Sequence, residues 1–319
     1  MNQRNTRAMV ETAFVSTIVV MLTVIGAVVP FMLFLATIVA PAGISVTGIR
    51  WGSRYSCIAS VLAFMMVSLF LGVPIAANTI LIYSLPSIFL GEAFRSNWSF
   101  RKLIIVPALA LFLMLFVQLL MVQGFGSFDL VNLGQNMNVE LKNSMLEAVR
   151  QQAVPQEQID TMVAQINRTF AMADRIMLAI VFCVCVSMIY ILARLVSYIA
   201  RRTDTLHRVL PTMDTWRMPI WGAGILAIGI ILVYGMPYIG YEQTVLNDIG
   251  MNLGLFGAAI CLVNGVTCLI AIMKAYGLGN FLQFTIIFFL YVMSPYSLVI
   301  YGIFDMFLDM RSRFNKRLP

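Results

Sequence analysis

NLGLFGAAICLVNGVTCLIAIM, residues Asn252 to Met273, is a run of 22 residues without one charged side chain. A helix needs roughly 20 apolar residues to cross the hydrocarbon of a bilayer, so this stretch alone is long enough. Working outward, similar runs occupy about Met218 to Ile239, Ile176 to Ile199, Leu103 to Val122, Ile75 to Phe94, Cys57 to Val73 and Val10 to Val29. A shorter one, about Phe31 to Val46, carries Pro41 and Gly43, which are expected to interrupt it. Backbone amides cannot go unpaired in lipid, so such runs must be helical. Of all residues 61% are apolar and 11% charged, against about a quarter charged in soluble domains. The expected fold is all-α: a polytopic transmembrane helical bundle of about 9–10 membrane segments.

One long stretch departs from this pattern. Gln123 to Asp174 is polar and lies between spans 5 and 6. Its second half repeats Ile159, Met162, Val163, Ile166 and Phe170 at helical spacing, which predicts an amphipathic helix beginning near Pro155. A first helix is expected around Val139 to Gln152. The natural division falls in the basic loop near residue 205, separating a six-span bundle with its insertion (1–204) from a C-terminal transmembrane unit (205–319). The final stretch, Leu278 to Met310, is long for one span and short for two, with Ser294-Pro295 at its centre.

Charge placement orients the spans. With the N-terminus in the cytoplasm, 17 of the 21 Lys and Arg residues fall on the cytoplasmic side. Only Lys142, Arg150, Arg168 and Arg175 remain outside, among eight acids. This is the asymmetry expected of a multi-pass membrane protein with its N-terminus in the cytoplasm. Lys274 and the tail Arg311 to Arg317 then both belong inside, which favours a short hairpin turning near Ser294-Pro295. One tilted span with an external tail is the alternative. The net charge of +7 is thus a topology signal, and no basic stripe interleaved with aromatics points to nucleic acid. The first run follows Arg4 and Arg7 like a signal peptide, but it is longer than one and reads as a retained helix.

Several local sequences occur in a telling order: Glu11-Thr12-Ala13, Gly48-Ile49-Arg50-Trp51-Gly52, Leu90-Gly91-Glu92, Trp216-Arg217-Met218-Pro219, Asn264-Gly265, Gly302-Ile303-Phe304-Asp305 and Asp309-Met310-Arg311. Together they resemble the YybS-like family of bacterial membrane proteins, a domain of unknown function, over nearly the whole chain. The first six helices of that family are in turn similar to the substrate-binding S-components of energy-coupling-factor vitamin transporters. The resemblance implies a solute-binding or transport subunit that docks a coupling partner through a small-residue face on its first helix, here Thr12 with Ser16 and Ala13 with Thr17. This chain departs from an S-component by about 120 residues beyond that core and by its polar insertion.

The residues themselves offer little chemistry. His207 is the single histidine, so neither a metal site nor a Ser-His-Asp triad is supported, and no Walker A pattern occurs. The chain is expected not to be an enzyme and to use no cofactor. Cys57, Cys183, Cys185, Cys261 and Cys268 all lie in spans and read as packing residues. Polar groups within spans are more informative. Asn264 must face the bundle, bonded to a neighbouring helix or to a ligand, and Gln118, Asn78 and Tyr83 pose the same choice. Glu92 is expected to pair with Arg95. Asp305, Asp309 and Arg313, spaced i, i+4, i+8, read as a structural charge cluster in which Asp309 pairs with Arg313 and Asp305 reaches Arg194, Lys274 or the basic loop. Gly250, Gly254, Ala258, Cys261, Gly265 and Cys268 form a small-residue stripe along span 8 that permits close helix approach. Partners are expected in the bilayer itself, in anionic lipids at the basic loop 201–217 and in other membrane subunits. Two functions follow: a solute-binding or transport subunit, or a structural or regulatory membrane scaffold.

Overall fold

The computed structural model describes residues 3–125, 130–150, 156–203, 205, 209–235 and 244–315. Among these no strand occurs. The helices are α1 (Gln3–Val28), α2 (Pro30–Trp51), α3 (Ser53–Leu71), α4 (Val73–Ala76), α5 (Ile82–Arg95), α6 (Phe100–Phe125), α7 (Leu130–Arg150), α8 (Gln156–Arg202), α9 (Trp221–Ile230), α10 (Thr244–Ala275), α11 (Asn280–Met293), α12 (Pro295–Leu308) and α13 (Met310–Asn315). A π-turn, Ala77–Leu81, joins α4 to α5, and another, Ile231–Gly235, follows α9. Among the described residues, the segments expected from hydropathy resolve into six helices long and apolar enough to span, two shorter apolar ones (Leu35–Trp51 and Trp221–Gly235) and one bent pair, α11 with α12. The protein is therefore a polytopic helical bundle.

Two local expectations are corrected. Pro41 does not interrupt its span, because α2 runs through it, as membrane helices permit when neighbouring groups satisfy the backbone. The insertion's second helix and span 6 are not separate elements either. They form the single 47-residue α8, since the sequence Phe170 to Ala179 holds no glycine or proline to break it.

Contacts divide the chain into two compact units, Met1–Met137 with Val184–Leu210, and Asn138–Cys183 with Pro211–Pro319. Residues 138–183 of the insertion and α8 cluster with the C-terminal stretch. In the first unit the core gathers Leu90, Phe94 and Leu103 with Ile189, Ala193 and Val196 of α8. Small polar residues seam its helices together. Ser45 Oγ donates to Ser87 O and Ser56 Oγ to Ile44 O, each at 3.0 Å. Gly48 and Gly91 face each other so closely that a Cβ on Gly91 would meet Gly48 Cα at 3.2 Å.

In the second unit, α10 is the central helix, and its small residues serve two neighbours. A Cβ on Gly229 would overlap the backbone of Gly254, and one on Gly257 would overlap that of Leu226, so α9 lies directly on α10. On its other flank, a Cβ on Gly265 would overlap Leu298 O and one on Gly302 would overlap Cys261 O. The small-residue stripe is consumed by packing within the chain.

Asn252 makes an unusual join to α8. The Ala179 N–H donates to Asn252 Oδ1 at 3.0 Å, while Arg175 O, its ordinary helical acceptor, receives Asn252 Nδ2 at 2.7 Å. The amide splices α10 to α8 at one rung of the i→i−4 ladder and also holds Asp248 O at 2.8 Å. Asn252→Leu is expected to cost only about 1 kcal/mol, because Ala179 N–H and Arg175 O, one helical turn apart, can serve each other. Asn252→Asp should be the more damaging change, since a carboxylate would face two carbonyl oxygens it cannot donate to. Unfolding midpoints of the two variants in detergent would show the order, and equal midpoints would refute the splice.

The bent pair changes direction by 112° between Met293 and Pro295, at the expected Ser294-Pro295. The residues that flank it, Lys274 at the end of α10 and Arg311 in α13, meet at one place. Asp214 accepts from Lys274 Nζ through Oδ2 at 2.9 Å and from Arg311 Nη1 through its carbonyl at 3.5 Å. Each arm has 14 residues, about 21 Å, which is short of the roughly 30 Å of hydrocarbon. A re-entrant hairpin satisfies both facts.

Candidate functional site

The densest polar assembly lies in the second unit where α10, α12, α13 and the segment 211–218 meet. Its geometry begins with the end of α12. Asp309 adopts a left-handed conformation, φ 44° and ψ 58°, and its N–H caps Asp305 O at 3.0 Å. Aspartate tolerates that region better than most residues. The reversal swings Arg311 back over the last turn of α12, so its Nε donates to Asp305 Oδ2 at 2.9 Å and its backbone N–H reaches Oδ1 at 3.4 Å.

Asn264 locks the same pair from α10. Its Oδ1 accepts from the Met218 N–H at 3.1 Å and from Arg311 Nη2 at 2.9 Å. Its Nδ2 donates to Gly302 O and to Asp305 Oδ2, both at 3.0 Å. An amide can make four such bonds, and all four are made. Arg311 Nη2 also reaches Thr267 Oγ1 at 3.1 Å, and Nη1 donates to Trp216 O. Asn264 is 1% exposed, Arg311 5% and Asp305 7%, so this is a buried, mutually satisfied ion pair with its amide.

Two exposed ion pairs strap the 211–218 segment over it: Lys274 with Asp214 at 2.9 Å and Arg217 with Asp309 at 3.1 Å. The Thr212 hydroxyl, aided by Lys274, holds the Asp214 carboxyl below its ordinary value. At Asp309 desolvation is the largest single effect and pushes upward, but bonds from Ser312 and Arg217 together outweigh it and hold that carboxyl low too. Both groups therefore stabilise the fold above the ordinary carboxylate value of about 4, and that contribution is lost as pH falls through their lower folded values. The unfolding midpoint is expected to stay level from pH 7 to 5 and to drop below about pH 4, with a smaller drop in Asp214→Asn. An acid limb identical in that variant would exclude the strap as its source.

The structure thus brings Asn264 and Asp305 together. Asp309 turns to Arg217 and not to Arg313, because the helix breaks at Asp309 and the i, i+4, i+8 face does not exist. Asp305 takes Arg311 and not Lys274, which bonds Asp214; Arg194, in the first unit, donates from Nε to Tyr190 Oη at 2.9 Å. Gln118 and Tyr83, both half-buried, belong to the first unit, as does Asn78 in the Ala77–Leu81 π-turn. The side chain of Asn78 and residues such as His207, Arg208 and Glu242 lie outside the described residues. Arg311, Thr267 and Asn252 escaped the sequence reading. Asn252 carried the same signal as Asn264, an amide in an apolar run.

At one end of the first unit Glu11 is shared by three donors: Arg7 Nε at 3.0 Å, Arg50 Nη1 at 2.9 Å and Trp51 Nε1 at 2.8 Å. Glu92 accepts from Ser96 Oγ at 2.6 Å. The expected Glu92–Arg95 pair is not made, because Arg95 lies instead against Gly52, where a Cβ would overlap its Nη1. Gly52, with φ +103°, needs its missing side chain on both counts.

These features bear on the comparison with known proteins. Residues 17–306 match the family described as "Predicted membrane protein (DUF2232)". The chain belongs to this family. The match runs from within α1 to the last turn of α12, so most of both units of the DUF2232 chain, including Asn264 and Asp305, falls within it, while Glu11, Asp309 and Arg311 lie outside. Its description states membrane residence and no activity. No curated protein and no solved structure matches the chain.

Proposed function

We propose that the protein is a non-enzymatic membrane scaffold, structural or regulatory, which works through the molecules that dock on it. The observation that carries this reading is Asn264. The amide best placed to hold a solute spends all four of its hydrogen bonds on Met218, Gly302, Asp305 and Arg311. The neighbouring guanidinium is spent on Asp305, Asn264, Thr267 and Trp216 in the same way. A solute could bind there only by breaking bonds that are expensive to leave unmade in a buried setting. Its partners would be other membrane subunits and lipids. The placement follows the charges: the N-terminus in the cytoplasm of a bacterium, with the basic ends of α1, α2, α3, α5, α6 and α8 on the inner surface.

One observation favours the second reading, a solute-binding subunit similar to an S-component. The first unit is compact by itself and uses α1, α2, α3, α5, α6 and the end of α8. Ala13 and Thr17 on α1 face outward, as a docking face for a coupling subunit would require. Thr12 and Ser16 do not, since both are buried and Ser16 Oγ reaches Ala59 O at 3.3 Å.

Gentle purification of the full chain, with mass spectrometry of everything retained, separates the two. Stable protein partners without a stoichiometric small solute support the scaffold. A retained solute, or an ATPase with a transmembrane coupling subunit, overturns it.

A further inference from the structure

We propose that the corner of the first unit around Gly52 is a binding site for an anionic phospholipid, with Arg54 and Arg95 gripping the headgroup phosphate and Arg50 beside them. The inference stands beyond the choice between scaffold and solute-binding subunit, since it concerns a lipid at the rim of the first unit in either case. Three arginines stand around this turn, at three helix ends. Arg50 closes α2 and Arg54 opens α3, on either side of Gly52, while Arg95 closes α5 and lies on the Gly52 backbone itself. Only a residue without Cβ allows that approach.

The counter-charge on the protein is insufficient. Glu11 is already divided between Arg7, Arg50 and Trp51, and Glu92 accepts from Ser96, which leaves two carboxylates against four arginines, Arg7, Arg50, Arg54 and Arg95. Among the described residues neither Arg54 nor Arg95 is ion-paired, and both are exposed. Gathered cations of this kind repel one another unless an anion sits between them, and a phosphate accepts from two guanidinium groups with favourable geometry.

A lipid fits better than a free phosphate because of what lies beneath. Along α3 the residues following Arg54 on its outer face are Ile58, Leu62, Met65 and Leu69, all exposed. Their spacing of three and four puts them in one stripe below the arginine. The headgroup meets the cations and the acyl chain meets the stripe; an inorganic ion would use only the first. Trp51, whose indole Nε1 bonds Glu11, adds an amphipathic ring at the level where such rings anchor.

The test uses the full chain reconstituted in phosphatidylcholine nanodiscs with trace spin-labelled phosphatidylglycerol or spin-labelled phosphatidylcholine. The wild type is expected to immobilise phosphatidylglycerol several-fold more than phosphatidylcholine. Arg54→Gln with Arg95→Gln should remove most of that preference. Arg201→Gln with Arg202→Gln, which removes the same charge from the end of α8, should keep it. No preference in the wild type, no change in the first pair, or equal loss in both pairs overturns the site. Displacement of the labelled lipid by millimolar inorganic phosphate at constant ionic strength would make it a free-phosphate site and overturn the lipid assignment. Should the first double variant misfold, Arg54→Gln and Arg95→Gln singly, each expected to lower the preference, decide the matter. None of these outcomes alters what co-purifies with the protein, so the site and the scaffold reading can fail separately.

Discussion

Arg311→Met is expected to cost the second unit about 3–5 kcal/mol, the usual result of removing one partner from a buried ion pair. The loss has a definite origin. Asp305 would keep its charge at 7% exposure with only neutral donors, the Asn264 amide and the backbone N–H of residue 311, and the carbonyls of Trp216 and Asp214 would lose the guanidinium. Asp305→Asn should be milder, since an amide can still accept from Arg311 while the guanidinium loses its counter-charge. Replacing both partners, Asp305→Leu with Arg311→Met, should recover part of the loss, because the desolvation of two charges is removed along with their attraction. Unfolding of the purified variants in detergent would measure the series. If Arg311→Met left the midpoint unchanged, the pair would not be buried, and the saturation of Asn264 would lose its force.

Gly302→Val should destabilise the same unit by about 3 kcal/mol or more, at the upper end of overpacking effects. The new side chain would drive into Cys261 O, a backbone atom on α10 that cannot rotate away. Cys261→Ala therefore offers no rescue, which distinguishes this clash from one between side chains. Gly265→Val should behave alike against Leu298 O, whereas Gly224→Ala, with open space around it, should be silent. A tolerated Gly302→Val would mean that α10 and α12 are not in backbone contact.

The bundle was legible because lipid imposes one requirement, paired backbone in apolar runs, and the run from Asn252 to Met273 satisfies it openly. The small residues at Gly250, Gly254, Cys261 and Gly265 likewise announce close packing, though spacing cannot say which helix approaches. Asn264 was legible as a buried amide for the same reason: its cost in lipid does not depend on its partner. The partner itself was hidden. The i, i+4 rule assumes an unbroken helix, and the left-handed turn at Asp309 replaces Arg313 by Arg311 in a way no periodicity reveals. The fusion of the insertion with span 6 was missed because polarity changes near Asp174 while helix propensity does not. Hydropathy reports the solvent of a segment, and only backbone chemistry reports its continuity.

The bent pair carries a consequence for the lipids around it. The residues that flank it, Lys274 before and Arg311 after, both bond Asp214, its arms are shorter than the hydrocarbon is thick, and the side chains of Phe281, Phe284 and Phe289 stand outward. As a re-entrant hairpin, such a wedge would add cross-sectional area to a single leaflet. Lipids on that side must spread or be lost while the opposite leaflet stays full, so each molecule imposes a small area imbalance, and a patch crowded with them would tend to curve.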